Sequence, residues 1–227
     1  LSIILKGGGP LGSLVVIATS NGKVKGYVDN PKVYLPLNSY GKLDVSGGVG
    51  KEGKLTVIKD LGLKEPYIGQ VDIVSGEIGE DIAFYMAASE QKPAAVGLGV
   101  LVDVDSTVSA AGGFIIQPLP GASEKVIERI EQKISTVPGV STLIAEGKTP
   151  EEILEDLLGE FEIKVHDKIY PYFSCDCSRE RLESVLITLG KDELEDILKK
   201  DGKAELVCHY CNKKYIFSYE DIEELIK

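Results

Sequence analysis

The sequence is short of several things, and each shortage excludes something. It has no tryptophan, one methionine and only two histidines in 227 residues. Neither His166 nor His209 belongs to a Ser/His or Cys/His pattern of the catalytic kind, so nucleophilic hydrolase chemistry has little support. Four cysteines are too few for a disulfide-built secreted scaffold of this length. No apolar run approaches the ~18 residues of a membrane span. The opening LSIILKGGGP lacks a basic n-region, a long apolar stretch and a cleavage site, which makes a reducing cytosol the default compartment. It also starts without Met, inside what reads as a strand, as a truncated chain would. Basic residues are outnumbered: the net charge is −11, the wrong sign for a non-specific nucleic-acid binder. GGGP (Gly7 to Pro10) lacks the Lys-Ser/Thr of a phosphate loop and reads as a tight turn. DVDS (Asp103 to Ser106) lacks the glycine and distal glutamate of an EF-hand loop.

What is present divides into three zones. Residues 1–122 carry a net −2 and residues 123–227 a net −9, so composition breaks near residue 122. Before the break, LSIIL, SLVVIA, KVKGYV, KLTVIKD and AVGLGVLVD read as short strands separated by turns such as SNGK and KEGK. One helical stretch, EIGEDIAFYMAASEQ, interrupts them, and VLVDVDSTVSAAGGFIIQPLP reads as a strand pair. The expected fold class is α+β: a mostly antiparallel sheet core over 1–122, a helical linker over 123–165 and a small C-terminal domain over 166–227. In the linker, ASEKVIERIEQKIS, VSTLIAEG and TPEEILEDLLGEF are expected as short helices, the third opened by a Thr149–Glu152 capping box with Pro150 at its first position. They form either a layer docked on the sheet or a mobile linker. Beyond residue 166, Ser178 should cap a helix with Leu182, Val185, Leu186 and Leu189 on its apolar face. KDELEDILKK should end at Gly202, AELVCHYCNKKYIFS should form a hairpin, and Ser218 should cap a last helix.

All four cysteines fall in that last zone, as Cys175-Asp176-Cys177 and, thirty residues on, Cys208-His209-Tyr210-Cys211. Two close pairs at this range are a common way to surround one zinc with four thiolates, and four thiolates leave no open position for catalysis. The C-x-x-C lies between strands rather than ahead of a helix, unlike a thioredoxin-type motif. The C-x-C is unusual: about 6.6 Å separates such Cα atoms in extended chain, inside disulfide range, so loss of metal or oxidation of one thiolate puts a resolving partner at hand. His209, between two cysteines, is expected to point away from the metal.

The ordered set CDC…CHYC, after an acidic helical stretch and an α+β domain, resembles the redox-regulated 33-kDa bacterial heat-shock chaperone family. GYVDNP, KDLGLKEPYIGQV, VSGEIGEDIAFYMAASEQ and AAGGFIIQPLPG resemble its core. The resemblance implies a further N-terminal segment ahead of LSIIL. It implies an ATP-independent holdase, inactive while Cys175, Cys177, Cys208 and Cys211 hold one Zn2+ per chain. Oxidation would release the metal, form disulfides within each cysteine pair, loosen the linker, and give a homodimer that captures unfolding client proteins in the cytoplasm. It implies no catalytic residue, nucleic acid or membrane partner. Two rival classes are a zinc-ribbon nucleic-acid module, with Lys213 and Lys214 beside the knuckle, and a thiol oxidoreductase.

Overall fold

The computed structural model describes residues 1–226; Lys227, the end of the expected third zone, lies outside them. The chain divides into two compact units, Leu1–Val15 with Val28–Ile169, and Val16–Tyr27 with Tyr170 onward. In chain order the elements up to residue 116 are β1 (Ser2–Lys6), β2 (Ser13–Ala18), β3 (Lys23–Val28), α1 (Val45–Val49), β4 (Lys54–Lys59), β5 (Tyr67–Asp72), α2 (Ile78–Ala88), β6 (Ala95–Val102) and β7 (Val108–Ile116). There follow α3 (Glu124–Thr136), α4 (Val140–Ala145), α5 (Pro150–Leu158), β8 (Tyr172–Phe173), α6 (Arg179–Ile187), α7 (Lys191–Asp201), β9 (Ala204–Val207), β10 (Lys214–Phe217) and α8 (Tyr219–Ile226). The fold is α+β with mainly antiparallel sheets; the two-residue β8, parallel to β3, is the exception.

In the larger unit β4 pairs antiparallel with both β1 and β5. Strand alternation sends Leu5, Leu55 and Val57 to one face, where they join Val49, Ile73 and Tyr85 in the core. Helix α2 lays Ile78, Ile82 and Met86 on that cluster. Its Asp81 is fully buried, yet its carboxylate accepts backbone N–H groups of Val74, Ser75 and Gly76 at 2.8, 3.0 and 3.0 Å. A buried carboxylate satisfied in this way pins the loop ahead of the helix rather than destabilising it. GGGP is a turn, as expected, and its glycines serve a close approach. A Cβ at Gly9 would stand 2.4 Å from the Gly48 carbonyl, and the Gly9 N–H donates to Val49 at 2.9 Å. Helix α1 and strand β5, neither expected from the pattern, complete this region.

The β6–β7 hairpin carries the linker helices. Leu143, Ile153 and Leu157 are buried together with Phe114 and Ile116 of β7 beside them, so the three helices are a docked layer. Helix α4 comes so close to the hairpin that a Cβ at Gly99 would meet the Ser141 nitrogen at 2.6 Å, and one at Gly112 would meet Ile144 Cδ1 at 2.2 Å. Helix α5 shows the full Thr149–Glu152 capping box with Pro150 at its start. A cavity of about 170 Å³ between hairpin and helices is lined by Leu98, Phe114, Val137, Leu143 and Leu157, among others.

In the smaller unit α6, α7, α8 and the β9–β10 hairpin close around Leu186, Leu194, Ala204, Tyr215, Phe217 and Ile222. Ser178 caps α6 by accepting the Arg181 N–H, and Gly202 ends α7 with φ 68°. The apolar face expected for α6 is only partly used: Leu186 is buried, while Val185 and Leu189 are about half exposed. Helices α6, α7 and α8 each bury one side chain fully, and Leu182, Ile197, Leu198, Leu225 and Ile226 pack partly buried against the same core. No helix among the described residues is long and apolar enough to cross a membrane.

Candidate metal centre

The C-x-C follows β8 directly. Tyr172 N–H donates to the Gly22 carbonyl at 2.9 Å and Ser174 N–H to the Val24 carbonyl at 3.1 Å, which fixes the chain just before Cys175. The C-x-x-C forms the tip of the β9–β10 hairpin. There Cys208 N–H donates to the Lys213 carbonyl at 3.0 Å, Asn212 N–H to the Cys208 carbonyl at 2.8 Å, and Asn212 takes a left-handed φ of 57°. This tight turn aims Cys208 and Cys211 the same way.

The two pairs meet. The ligand atoms of Cys175, Cys177, Cys208 and Cys211 all lie within 4.8 Å of one another. The nearest sulfurs belong to different pairs: Cys175 to Cys208 at 3.6 Å and Cys177 to Cys211 at 3.4 Å. With metal–sulfur bonds near 2.3 Å, a tetrahedral site needs sulfurs roughly 3.8 Å apart, so four thiols in this arrangement fit one ion. Among the described residues this is the one group of three or more candidate ligands that converges so.

The surroundings separate the thiols. Tyr215 Oη lies 3.3 Å from Cys177 Sγ and 3.1 Å from the Cys177 carbonyl. Donation from this hydroxyl, and then from Cys211, brings the Cys177 thiol down to about 7. Burial pushes Cys175 up to about 12. Tyr215 itself is raised to about 12 by its bond to Cys177. Asp176, between the first two cysteines, is held well below the usual carboxylate range by Lys25 and then Arg181.

His209 takes no part in the cluster; its ring lies 5.4 Å from that of Tyr27. His166 is exposed. Lys214 pairs with Glu205 at 2.9 Å, and the Lys213 ammonium sits 5.0 Å from the centre of the Tyr215 ring. Sequence reasoning did not reach Lys25, Tyr27 or Tyr215, which neighbour the cysteines in space but not in sequence.

A family profile described as Hsp33 protein matches residues 1–218. The chain belongs to the Hsp33 family. It is 54% identical over 227 residues to the 33 kDa chaperonin of Acetivibrio thermocellus, covering 100% of this chain and 76% of that protein. It is 50% identical over 225 residues to the 33 kDa chaperonin of Bacillus subtilis, covering 99% and 77%. The crystal structure of the Hsp33 homologue from Thermotoga maritima superposes with a TM-score of 0.91 at 44% identity, over 99% of this chain and 76% of that one. The chain thus spans about three quarters of the length of these Hsp33 relatives. Membership of the Hsp33 family makes a chaperone function, and with it the binding of client proteins, the supported reading.

Proposed function

We propose that the chain is a redox-controlled, ATP-independent holdase. Cys175, Cys177, Cys208 and Cys211 are its metal ligands and its sensors, and the metal is zinc. The observation that carries this reading is the convergence of two sequence-distant cysteine pairs on one point. Four thiolates with no open position suit a closing role, and an ion bound there would tie the smaller unit together and mask the sulfurs.

Oxidation undoes that tie with balanced chemistry. In each pair one thiolate attacks a peroxide oxygen, giving a sulfenic acid and releasing hydroxide. The neighbouring thiolate then displaces a second hydroxide and the disulfide forms; two electrons leave each pair and the peroxide ends as water. The pairing is Cys175 with Cys177 and Cys208 with Cys211, and neither disulfide keeps a ligand set for the ion.

In this reading residues 1–122 are the core domain, 123–165 the regulated linker and 166–227 the redox-switch domain. Opening the switch frees the linker helices, whose apolar faces, with the hairpin beneath them, then hold unfolding clients. The acidic balance keeps the loaded, dimeric complex in solution in the cytoplasm. The test is a light-scattering assay of an aggregating client protein. Peroxide-treated protein should suppress scattering and reduced, zinc-loaded protein should not; equal behaviour of the two forms would remove the redox control.

A further inference from the structure

A C-x-C and a C-x-x-C each fix their own two sulfurs, but holding one pair against the other takes contacts between the arms. Tyr215 supplies one, since its hydroxyl binds the Cys177 carbonyl from the hairpin side. Cys175 is bracketed differently. Ser174 donates to the Val24 carbonyl, and Asp176 forms an ion pair with Lys25, so both chain neighbours of Cys175 are bonded to strand β3.

The same strand reaches the other arm. Lys25 and Tyr27 are two residues apart and therefore share a face of β3. The Lys25 side chain is only 17% exposed, and its ammonium lies 4.9 Å from the centre of the Tyr210 ring. The Tyr27 ring stands 5.4 Å from His209 and 5.1 Å, edge-on, from Tyr210. Asp176, His209 and Tyr210 are all the residues that sit between paired cysteines, and each touches Lys25 or Tyr27. Arg181 braces Asp176 from its own arm, through the carboxylate and through the backbone carbonyl at 3.2 Å.

We propose that Lys25 and Tyr27 are positioning residues of the cysteine centre. They clamp its two arms together across the gaps between the cysteines, so the ease with which the centre gives up its metal and opens to oxidants is set from strand β3. This rests on the metal-holding reading above. The clamp acts through neighbours of the ligands and not on the sulfurs, which gives it a distinct signature: the effect of Lys25 depends on Asp176 being present.

The experiment uses the full chain, reduced and loaded with zinc. Zinc release into a chromogenic chelator is followed alongside iodoacetamide alkylation of the four thiols by mass spectrometry, in wild type, Lys25→Met, Asp176→Asn and the double variant. Interacting groups in contact couple measurably, and with the Asp176 side chain 63% exposed the expected effect is about three- to fivefold faster release in Lys25→Met. Lys25→Arg should behave as wild type. Tyr27→Leu, which keeps apolar bulk but loses the ring, should also release faster. In the Asp176→Asn background Lys25→Met should change the rate less than about twofold, because the partner is already gone. A Lys25→Met rate equal to wild type overturns the clamp. So does an identical Lys25→Met effect in both backgrounds, which would mean that only bulk charge near the sulfurs matters. If the wild type holds no stoichiometric zinc, the metal reading falls while alkylation still decides the clamp: faster labelling in Lys25→Met supports it, and unchanged labelling overturns it.

Discussion

Replacing Leu157 with aspartate should undock the linker helices while leaving the cysteines untouched. Leu157 is 2% exposed and, with Leu143 and Ile153, forms the buried part of the cluster that joins α5 to α4 and β7. Burying a leucine contributes about 1.5–3 kcal/mol, and the adjoining cavity argues for the lower half of that range because the packing is incomplete. The aspartate forfeits that term and adds a carboxylate that stays charged only by reaching water, a further ~2 kcal/mol or more against the docked state. Together these shift the docking equilibrium by about 4 kcal/mol, roughly a thousandfold. Helix α5 has nine residues, fewer than the ~12–15 an isolated helix needs, so its capping box alone will not hold it once undocked. Hydrogen exchange should rise across 123–161 while zinc stays bound, and the reduced variant should suppress client aggregation without peroxide. Unchanged exchange would refute the packing reasoning. Fast exchange with bound zinc and no chaperone activity would refute the linker as the gate.

Other expectations follow from the same geometry. Elemental analysis of the reduced protein should find one zinc per chain; a structural site of four thiolates is worth an apparent ~10–16 kcal/mol in small zinc domains, so chelation should melt the smaller unit. Peptide mapping of the oxidised protein should recover Cys175–Cys177 and Cys208–Cys211 disulfides; a majority of Cys175–Cys208 or Cys177–Cys211 links, the nearest sulfurs here at 3.6 and 3.4 Å, would contradict the pairing. In the larger unit, Lys59 and then the Tyr85 hydroxyl hold the Glu90 carboxyl below its ordinary value. A depressed folded-state pKa gives stability that is present above the ordinary carboxylate value of about 4.3 and is lost as pH falls through the lower, folded one. Lys59→Met should therefore cost about 1 kcal/mol at pH 7, allowing for partial exposure, and flatten the acid limb in urea unfolding; an unchanged acid limb would show that the pair contributes nothing.

Much of the fold was legible because local chemistry wrote it. KLTVIKD and AVGLGVLVD read as strands because they are short β-prone runs bounded by turn residues, and Thr149, Pro150, Ser178 and Gly202 marked helix ends where the structure has them. The cysteine spacing announced a shared centre, and the sulfurs converge. What escaped was set by distant partners. VSGGV has two glycines and no helical apolar period; it is a helix because Asp44 accepts the Gly47 N–H at its start and Gly7–Gly9 pack against its end. The two aromatic residues of β8 are too short a run to read as a strand and extend because the β3 segment offers carbonyls beside them. Lys25 and Tyr27 read as ordinary members of a half-exposed strand, since nothing within their own segment distinguishes them from Lys23.

The inclusion of Val16–Tyr27 in the cysteine-bearing unit has a consequence for synthesis. The hairpin of β2 and β3 is translated early, and the residues that complete its unit begin at Tyr170, roughly 140 residues later. At ~5–20 residues per second the ribosome needs about 7–30 s to deliver them, whereas a hairpin forms in microseconds. For that interval the β3 face carrying Lys25 and Tyr27 is solvated, and its free edge is a template for another nascent strand. If β3 holds the two cysteine arms together as proposed, the centre closes late on a strand made early, and the edge of β3 must stay unpaired through that interval.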